Sequence, residues 1–527
     1  MGWGILEDRR TPRPSGTVPL GSKESTQDVE SAELQHLKRK GQTILQPQPS
    51  DSINDPLNWS YTRKGTIFLI MLVAAIAIVG INQMLNTGLQ ILAVQFGTDF
   101  ATIVRDLSPP TIAAQVIGLF VASATAAVWG KRVQFVIASI VIFFTMLAGY
   151  FANSLPYYQV VLIFSGFASA PVELLIAPVV SDMTFVHERG TLFALASMVG
   201  VIGTDASHII SGNIISRLGV NYTFIISFAV WAPIMVLIYF FVFETTYTRP
   251  ASKAIKDNQS QSSGSTSDLE KERSRSKTTW EQLRIFQGRL TDRSFFLALV
   301  QPFPLVLFPS VVFCTIVYGA FSTWVTILGT VSLEVLAYPP YSLPPDQLAY
   351  ITLPGSGVGF ISSVVAGLLS DWLIKFMARR NGGIYEPEFR LLLMIPAVIL
   401  STVGFWLLGP AFAAGSSVVK LVGLSLLVSA GSPFAATASY NYIFDTQQRS
   451  STEAFVTTSL FRAVFNFFGQ MFVPTWFVRA GPVKVFTTLA ILNLAISALT
   501  IPMYVFGKRI RGAVSRNAWL MKISGGD

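Results

Sequence analysis

The sequence predicts an all-α integral membrane protein with twelve transmembrane helices in two six-helix, pseudo-symmetric halves. Three observations carry this prediction. Hydrophobic residues make up 51% of the 527 residues and charged residues 13%, about half the charge that a water-facing surface normally carries. Mean hydropathy is +0.53. The apolar residues collect into twelve runs near the length of about 20 residues that crosses a bilayer, and a polar stretch divides those runs six from six. Together these exclude an ordinary water-soluble enzyme and a disordered chain.

The runs lie near 66–88, 110–129, 134–152, 159–180, 192–214 and 222–243, then 303–325, 349–369, 391–409, 421–440, 456–477 and 485–506. Only three formal charges fall inside them: Glu173, Asp205 and Arg462. Sidedness follows from Lys and Arg, which concentrate on the cytosolic side of membrane proteins. With the N-terminus inside, 32 of the 38 Lys and Arg residues are cytosolic. Both termini are then cytosolic, and the net charge of +9 is membrane anchoring rather than a nucleic-acid footprint.

The segments between the runs complete the organisation. Residues 1–64 form a cytosolic tail expected to be largely disordered, and the opening Met1–Arg10 lacks the apolar core of a secretory signal. Residues 65–243 are the first half and 303–506 the second. Residues 244–302, with the stretch DNQSQSSGSTSDLEKERSRSK, read as a cytosolic linker, and 507–527 as a cytosolic tail. Within the linker, Trp280–Phe286 is amphipathic and suits either the membrane surface or the solvated end of the linker. Asn221-Tyr222-Thr223 has the pattern of a glycosylation acceptor, but on a loop too short to clear the bilayer. A single cysteine, Cys314, and three dispersed histidines give no metal or disulfide framework, and no cofactor is expected.

The halves echo one another. The fourth span exits through Asp182 and Arg189, the tenth through Asp445 and Arg449. Gly130-Lys131-Arg132 follows the second span, and Asp371 with Lys375 follows the eighth. Internal symmetry of this kind marks transporters built from repeats. Several strings then carry a resemblance: Asp55-Pro56-Leu57-Asn58-Trp59 before the first span, Ala170-Pro171-Val172-Glu173 in the fourth, Asp182 to Gly190 after it, and Glu244-Thr245-Thr246-Tyr247 after the sixth. Ala378 to Gly383 with Glu386 to Leu391 joins the eighth and ninth, and Ser439-Tyr440 with Asp445 ends the tenth. Over about 55–506 the chain resembles the major facilitator superfamily, in particular fungal transporters near the twelve-span drug:proton antiporters. The resemblance implies the major facilitator fold, a central cavity lined by the first, fourth, seventh and tenth spans, and alternating access. The chain departs from the family at its best-known marks. Ser123, Ala127 and Val128 stand where the loop motif after the second span has Gly, Asp and Arg; Leu162 replaces an Arg before Gly166; Gly203 is followed by Thr204 rather than Pro.

An ionisable side chain at the bilayer centre costs about 2.5–3.5 kcal/mol on insertion scales, so each such residue is a functional candidate. Glu173 lies nine residues from Asp182, roughly 14 Å deep at 1.5 Å per residue. It suits proton exchange, or else a structural hydrogen bond to a neighbouring helix. Asp205 and His208, three apart on one helix, suit a proton relay or an anchor for a cationic group, or a packing hydrogen bond. Arg462 sits at a depth similar to Glu173 and could pair with it across a closed cavity, or reach a headgroup. Asn82, Gln83, Asn86, Gln115, Tyr318, Tyr440, Asn441, Asn466 and Gln470 supply polar and aromatic lining suited to a medium-sized, partly apolar organic compound. The gating candidates are Gly130, Lys131, Arg132, Asp182, Arg189, Asp371, Lys375, Asp445 and Arg449. Asp371 stands at a helix C-terminus, where the dipole disfavours an anion. Lys375 is one compensation; by resemblance the other is the start of the fifth span, near Thr191.

The expectation is a monomeric secondary transporter of the plasma membrane, with a small-molecule substrate, protons and the lipid bilayer as partners. Its work would be proton-coupled export of a drug-like molecule or secondary metabolite. The alternative is uptake of an organic cation such as a polyamine. A membrane enzyme or a substrate-sensing receptor belongs to a different class, but no nucleophile–base or metal set supports an enzyme, the nearest approach being Asp182 with His187.

Overall fold

The computed structural model describes residues 4–19 apart from 9, 11–13 and 15, then 39–40, 43–44, 49–50, 52–247, 279–300 apart from 287 and 291–293, 303–382, 384–447 and 451–523; the side chains of 18–19, 39–40, 43–44, 177, 186–191, 193–198, 201, 205, 279–280, 297, 345–346, 349, 451–452 and 521–523 are not described. The first half contains α1 (Tyr61–Met84), α2 (Phe100–Trp129), α3 (Lys131–Tyr150), α4 (Leu155–Met183), α5 (Val186–Leu218) and α6 (Asn221–Phe241). The second contains α7 (Pro309–Ala337), α8 (Leu353–Arg380), α9 (Met394–Ala413), α10 (Val418–Thr446), α11 (Ser451–Ala480) and α12 (Pro482–Ala498). Ten helices of the described chain are long and apolar enough to cross a membrane. The remaining two of the twelve, α5 and α11, have 33 and 30 residues. They are also the spans that hold Asp205, His208 and Arg462, so polarity rather than length sets them apart.

Several helices outrun their apolar windows. α2 begins at Phe100, ten residues before its apolar run, behind Asp99. α7 continues to Ala337, well beyond residue 325, because its last turns are buried in a cluster with Leu348, Phe405 and Leu408. The extra turns are paid for by protein contact, not by lipid. The core of the first half takes in Val456, Leu460 and Ala463 of α11, and further cores form within the second half. In the first, Trp231 is fully buried and donates from Nε1 to the Ser139 carbonyl at 3.0 Å. Asn221 donates to the Tyr150 and Ala152 carbonyls at 3.1 and 2.8 Å and accepts from Tyr158. Its amide is thus part of the fold.

Both chain ends and the described end of the linker meet at one face, called here the terminal face. The helix Thr279–Leu283 docks there: Gln282 accepts from Arg63 at 2.8 Å and the Leu283 carbonyl accepts from Arg132 at 3.1 Å. Trp280–Phe286 therefore lies partly on the protein rather than only on lipid. Parts of the N-terminal segment dock on the second half. Val18–Pro19 pairs antiparallel with Ile384–Tyr385, the Leu6 N–H donates to the Val505 carbonyl at 3.0 Å, and Thr17 donates to Glu386 at 2.7 Å. Gly16, at φ +93°, brings its Cα so close to Asp445 that an added Cβ would stand 2.6 Å from that carbonyl oxygen. The residue must be glycine on both counts. Beneath it Arg511 bridges Glu386 and Glu388 at 2.9 and 2.8 Å, and Lys508 joins Glu386 at 2.7 Å.

Candidate functional site

The site begins with two glycines. A Cβ on Gly118 of α2 would stand 2.5 Å from the Phe167 carbonyl oxygen, and one on Gly166 of α4 would stand 2.4 Å from that of Thr111. Backbones this close require glycine. They bring Gln115, one turn before Gly118, within reach of α4, where its amide Nε2 donates to Glu173 Oε2 at 3.1 Å. Glu173 is partly exposed although it lies in the middle of α4. α11 packs along α2 across the boundary between the halves. It presents Arg462, whose charge and that of Glu173 act on one another across this seam.

Arg462 lies over an aromatic pair. Its guanidinium carbon is 5.7 Å from the Tyr318 ring centre. The Tyr318 and Tyr440 rings are 4.6 Å apart, and Phe455 follows at 5.2 Å from Tyr440. A cation over a ring face gains about 0.5–2 kcal/mol, more as water is removed. Arg462 Nε is sealed from solvent with no hydrogen-bond partner. Five predicted residues, Gln115, Glu173, Tyr318, Tyr440 and Arg462, thus come together from five helices.

The other candidates scatter around this centre. Asn82 accepts from Ser165 at 3.3 Å, tying α1 to α4. Asn86 donates to Gln83. Gln470 exchanges hydrogen bonds with Thr330 of α7, at 3.2 Å as donor. Asn466 Oδ1 is buried without a partner, and Asn441 is partly exposed on α10. His208 lies elsewhere. It is buried where α5 meets α1, beside Ser211, which donates to Thr87 at 3.1 Å and to the His208 carbonyl at 3.2 Å. The Asp205 side chain lies outside the described residues, so its relation to His208 is not part of this geometry.

On the terminal face the gating candidates form one latch in each half. Lys131, at the start of α3, pairs with Asp182 at the end of α4, and Thr245 also donates to Asp182 at 3.1 Å. Arg390, just before α9, pairs with Asp445 near the end of α10 at 2.6 Å, and Tyr385 donates to the same carboxylate. The third and fourth spans of the first half therefore repeat as the ninth and tenth. Burial and then the Asp445 charge push the Tyr385 phenol up from its ordinary range, so it remains a donor. Sequence reasoning missed Arg390 because it lies 55 residues from its partner. It also missed Glu244, whose carboxylate accepts from the Lys131 and Arg132 N–H groups at 3.1 and 3.0 Å and so caps α3. Gly130, at φ +94°, leaves room for that carboxylate, which an added Cβ would meet at 2.3 Å. Arg132 is buried against the Val242 and Tyr239 carbonyls, the second at 2.7 Å. Arg449 and the Arg189 and Thr191 side chains lie outside the described residues. Asp371 and Lys375 are exposed, and no hydrogen bond or ion pair joins Asp371 to Lys375 among the described residues. The other expected partner, the start of the fifth span near Thr191, lies outside the described side chains.

Known proteins agree with this architecture. A family model described as Major Facilitator Superfamily matches residues 65–474. An uncharacterised MFS-type transporter of Schizosaccharomyces pombe is 24% identical, covering 90% of this chain and 89% of its own. Protein HOL1 of Saccharomyces cerevisiae is 22% identical, covering 94% and 95%. An efflux pump of Penicillium aethiopicum is 22% identical over 42% and 44%. Among solved structures, a D-xylose–proton symporter superposes with a TM-score of 0.56 at 14% identity, over 85% of this chain and 98% of that one. The chain belongs to the Major Facilitator Superfamily: it is a multi-pass membrane transporter, not an enzyme.

Proposed function

We propose that this transporter exports a small, partly apolar organic compound in exchange for protons, from a plasma membrane with both termini in the cytosol. The single observation that carries the proposal is the carboxyl group of Glu173, held by Gln115 and lying within the field of Arg462 across the boundary between the halves. A carboxyl so placed can trade a proton for a cationic partner, and separation of the halves would change which one it holds. Tyr318 and Tyr440 offer flat apolar surface beside it, which suits an organic substrate with aromatic or alicyclic parts. The name of the Penicillium relative, an efflux pump, supports the direction. The two ion-paired latches, Lys131–Asp182 and Arg390–Asp445, would lock the loops of the terminal face as the halves rock.

Uptake of an organic cation is the second reading. One observation favours it: Arg462 itself occupies a cation-binding position, over the Tyr318 ring and near Glu173. A substrate ammonium could take its place. Flux in sealed vesicles, measured in both directions with lipophilic compounds and with organic cations, separates the two. Export driven by a pH gradient supports the first reading, and cation accumulation the second. Chemical turnover without vectorial movement would contradict both.

A further inference from the structure

A second carboxyl lies far from the central site. Glu334 is in the last turn of α7, opposite the terminal face. Its side chain is only 8% exposed, and its Oε2 is sealed from solvent with no hydrogen-bond partner. The seam between the halves passes beside it. Gln90, in the helix Leu89–Phe96 that extends α1, donates to the Ala337 carbonyl, one turn beyond Glu334, at 3.0 Å. The helix Pro345–Ile351 that follows α7 packs on α5, and Asn213 reaches the Tyr350 hydroxyl at 3.5 Å.

Among the described residues no cation pairs with this carboxyl: Arg105 is bonded to Asp106 at 3.3 Å, and Arg217 at the end of α5 is exposed. The charge of Glu334 and that of Asp99, which precedes α2 in the other half, both act on Tyr338, four residues on and just past the helix end. Tyr341 donates to the Ser416 carbonyl, and the Tyr350 hydroxyl accepts from Asn213. Lys420, Arg479 and Lys484 of α10, α11 and α12 are exposed at this face, and none pairs with Glu334 among the described residues. Burying even one carboxylate oxygen with neither donor nor cation costs a few kcal/mol. Opening the seam would return it to water at no such cost.

We infer that Glu334 is a proton-operated latch of the gate opposite the terminal face: it takes up a proton when the seam between the halves closes and releases it to the adjoining compartment when the seam opens. The step is a simple proton exchange between the carboxyl and water. The inference deepens the proton-coupled reading of the transporter and rests on it for its purpose, but its test uses no substrate.

The test is the distance between spin labels on L218C and V419C, exposed positions of the two halves at this face, measured in lipid at acid, neutral and alkaline pH. The background carries E173Q, so that the central carboxyl cannot respond. The closed-to-open ratio should rise as pH falls, by up to about tenfold per pH unit, the limit for one proton. Adding E334Q should abolish the response and hold the seam closed, whereas E334D, which keeps a titratable group and reports on folding, should retain it. A flat response in the E173Q background, or an unchanged one after adding E334Q, would overturn the inference. Either could occur with proton-driven flux intact, and loss of that flux in the wild type would sink the transport reading without touching the latch.

Discussion

Glu173 and Arg462 owe their roles to what surrounds them, not to their charges alone. Gln115 supplies one hydrogen bond to the carboxyl at 3.1 Å, and the aromatic pair holds the guanidinium where the carboxyl feels it. The account predicts that E173Q, which keeps the shape of the carboxyl but cannot ionise, abolishes gradient-driven accumulation while leaving the protein folded and able to bind substrate, any pH dependence that remains belonging to Glu334. R462A removes the partner, so the pH profile of transport should shift; an unchanged profile would refute the pairing. Tyr385 gives a prediction on stability. Its phenol donates to Asp445 and is pushed above its ordinary range, first by burial. Y385F should therefore cost about 1–3 kcal/mol at every pH below about 10, the ordinary phenol value. Above that value the unfolded wild type ionises while the native phenol stays protonated. That lowers wild-type stability alone and narrows the gap to Y385F. Thermal unfolding in detergent across pH reads this directly.

At the scale of elements, the helices were legible where periodic composition writes them, and the joints were not. Twelve apolar runs are visible in the residues because a bilayer demands length and apolarity. The end of α7 was not, since it is buried by protein and includes Glu334, which a hydropathy window treats as loop. Glu173, Gln115 and Arg462 stood out because charge and amide are rare at such depth. Arg390 and Glu244 did not, because both lie in polar surroundings and find partners 55 and 113 residues away. His208 is buried, and its three-residue spacing from Asp205 is a real helical neighbourhood, but the Asp205 side chain lies outside the described residues. The cap on α3 gives a test at this scale. E244A removes an acceptor from two N–H groups and should cost about 0.5–2 kcal/mol, while G130A forces a Cβ into the capping carboxylate and a strained φ. Both should lower the melting temperature, and E244A should leave the affinity of the central site unchanged.

In the whole molecule, the carboxyl and its cation come from different halves, so any rocking motion acts on their separation. The first half contributes Gln115 and Glu173; the second contributes Tyr318, Tyr440 and Arg462. The latches on the terminal face lie within each half, Lys131 with Asp182 and Arg390 with Asp445, and would hold each half rigid while the interface between them changes. A pH gradient is then a force on the interface, applied through Glu173. The most direct measurement is uphill substrate accumulation driven by an imposed pH gradient in reconstituted vesicles, for the wild type and E173Q side by side. The wild type should accumulate substrate only with the gradient present, and E173Q should equilibrate substrate without accumulating it; gradient-driven accumulation by E173Q at the wild-type level would contradict the account.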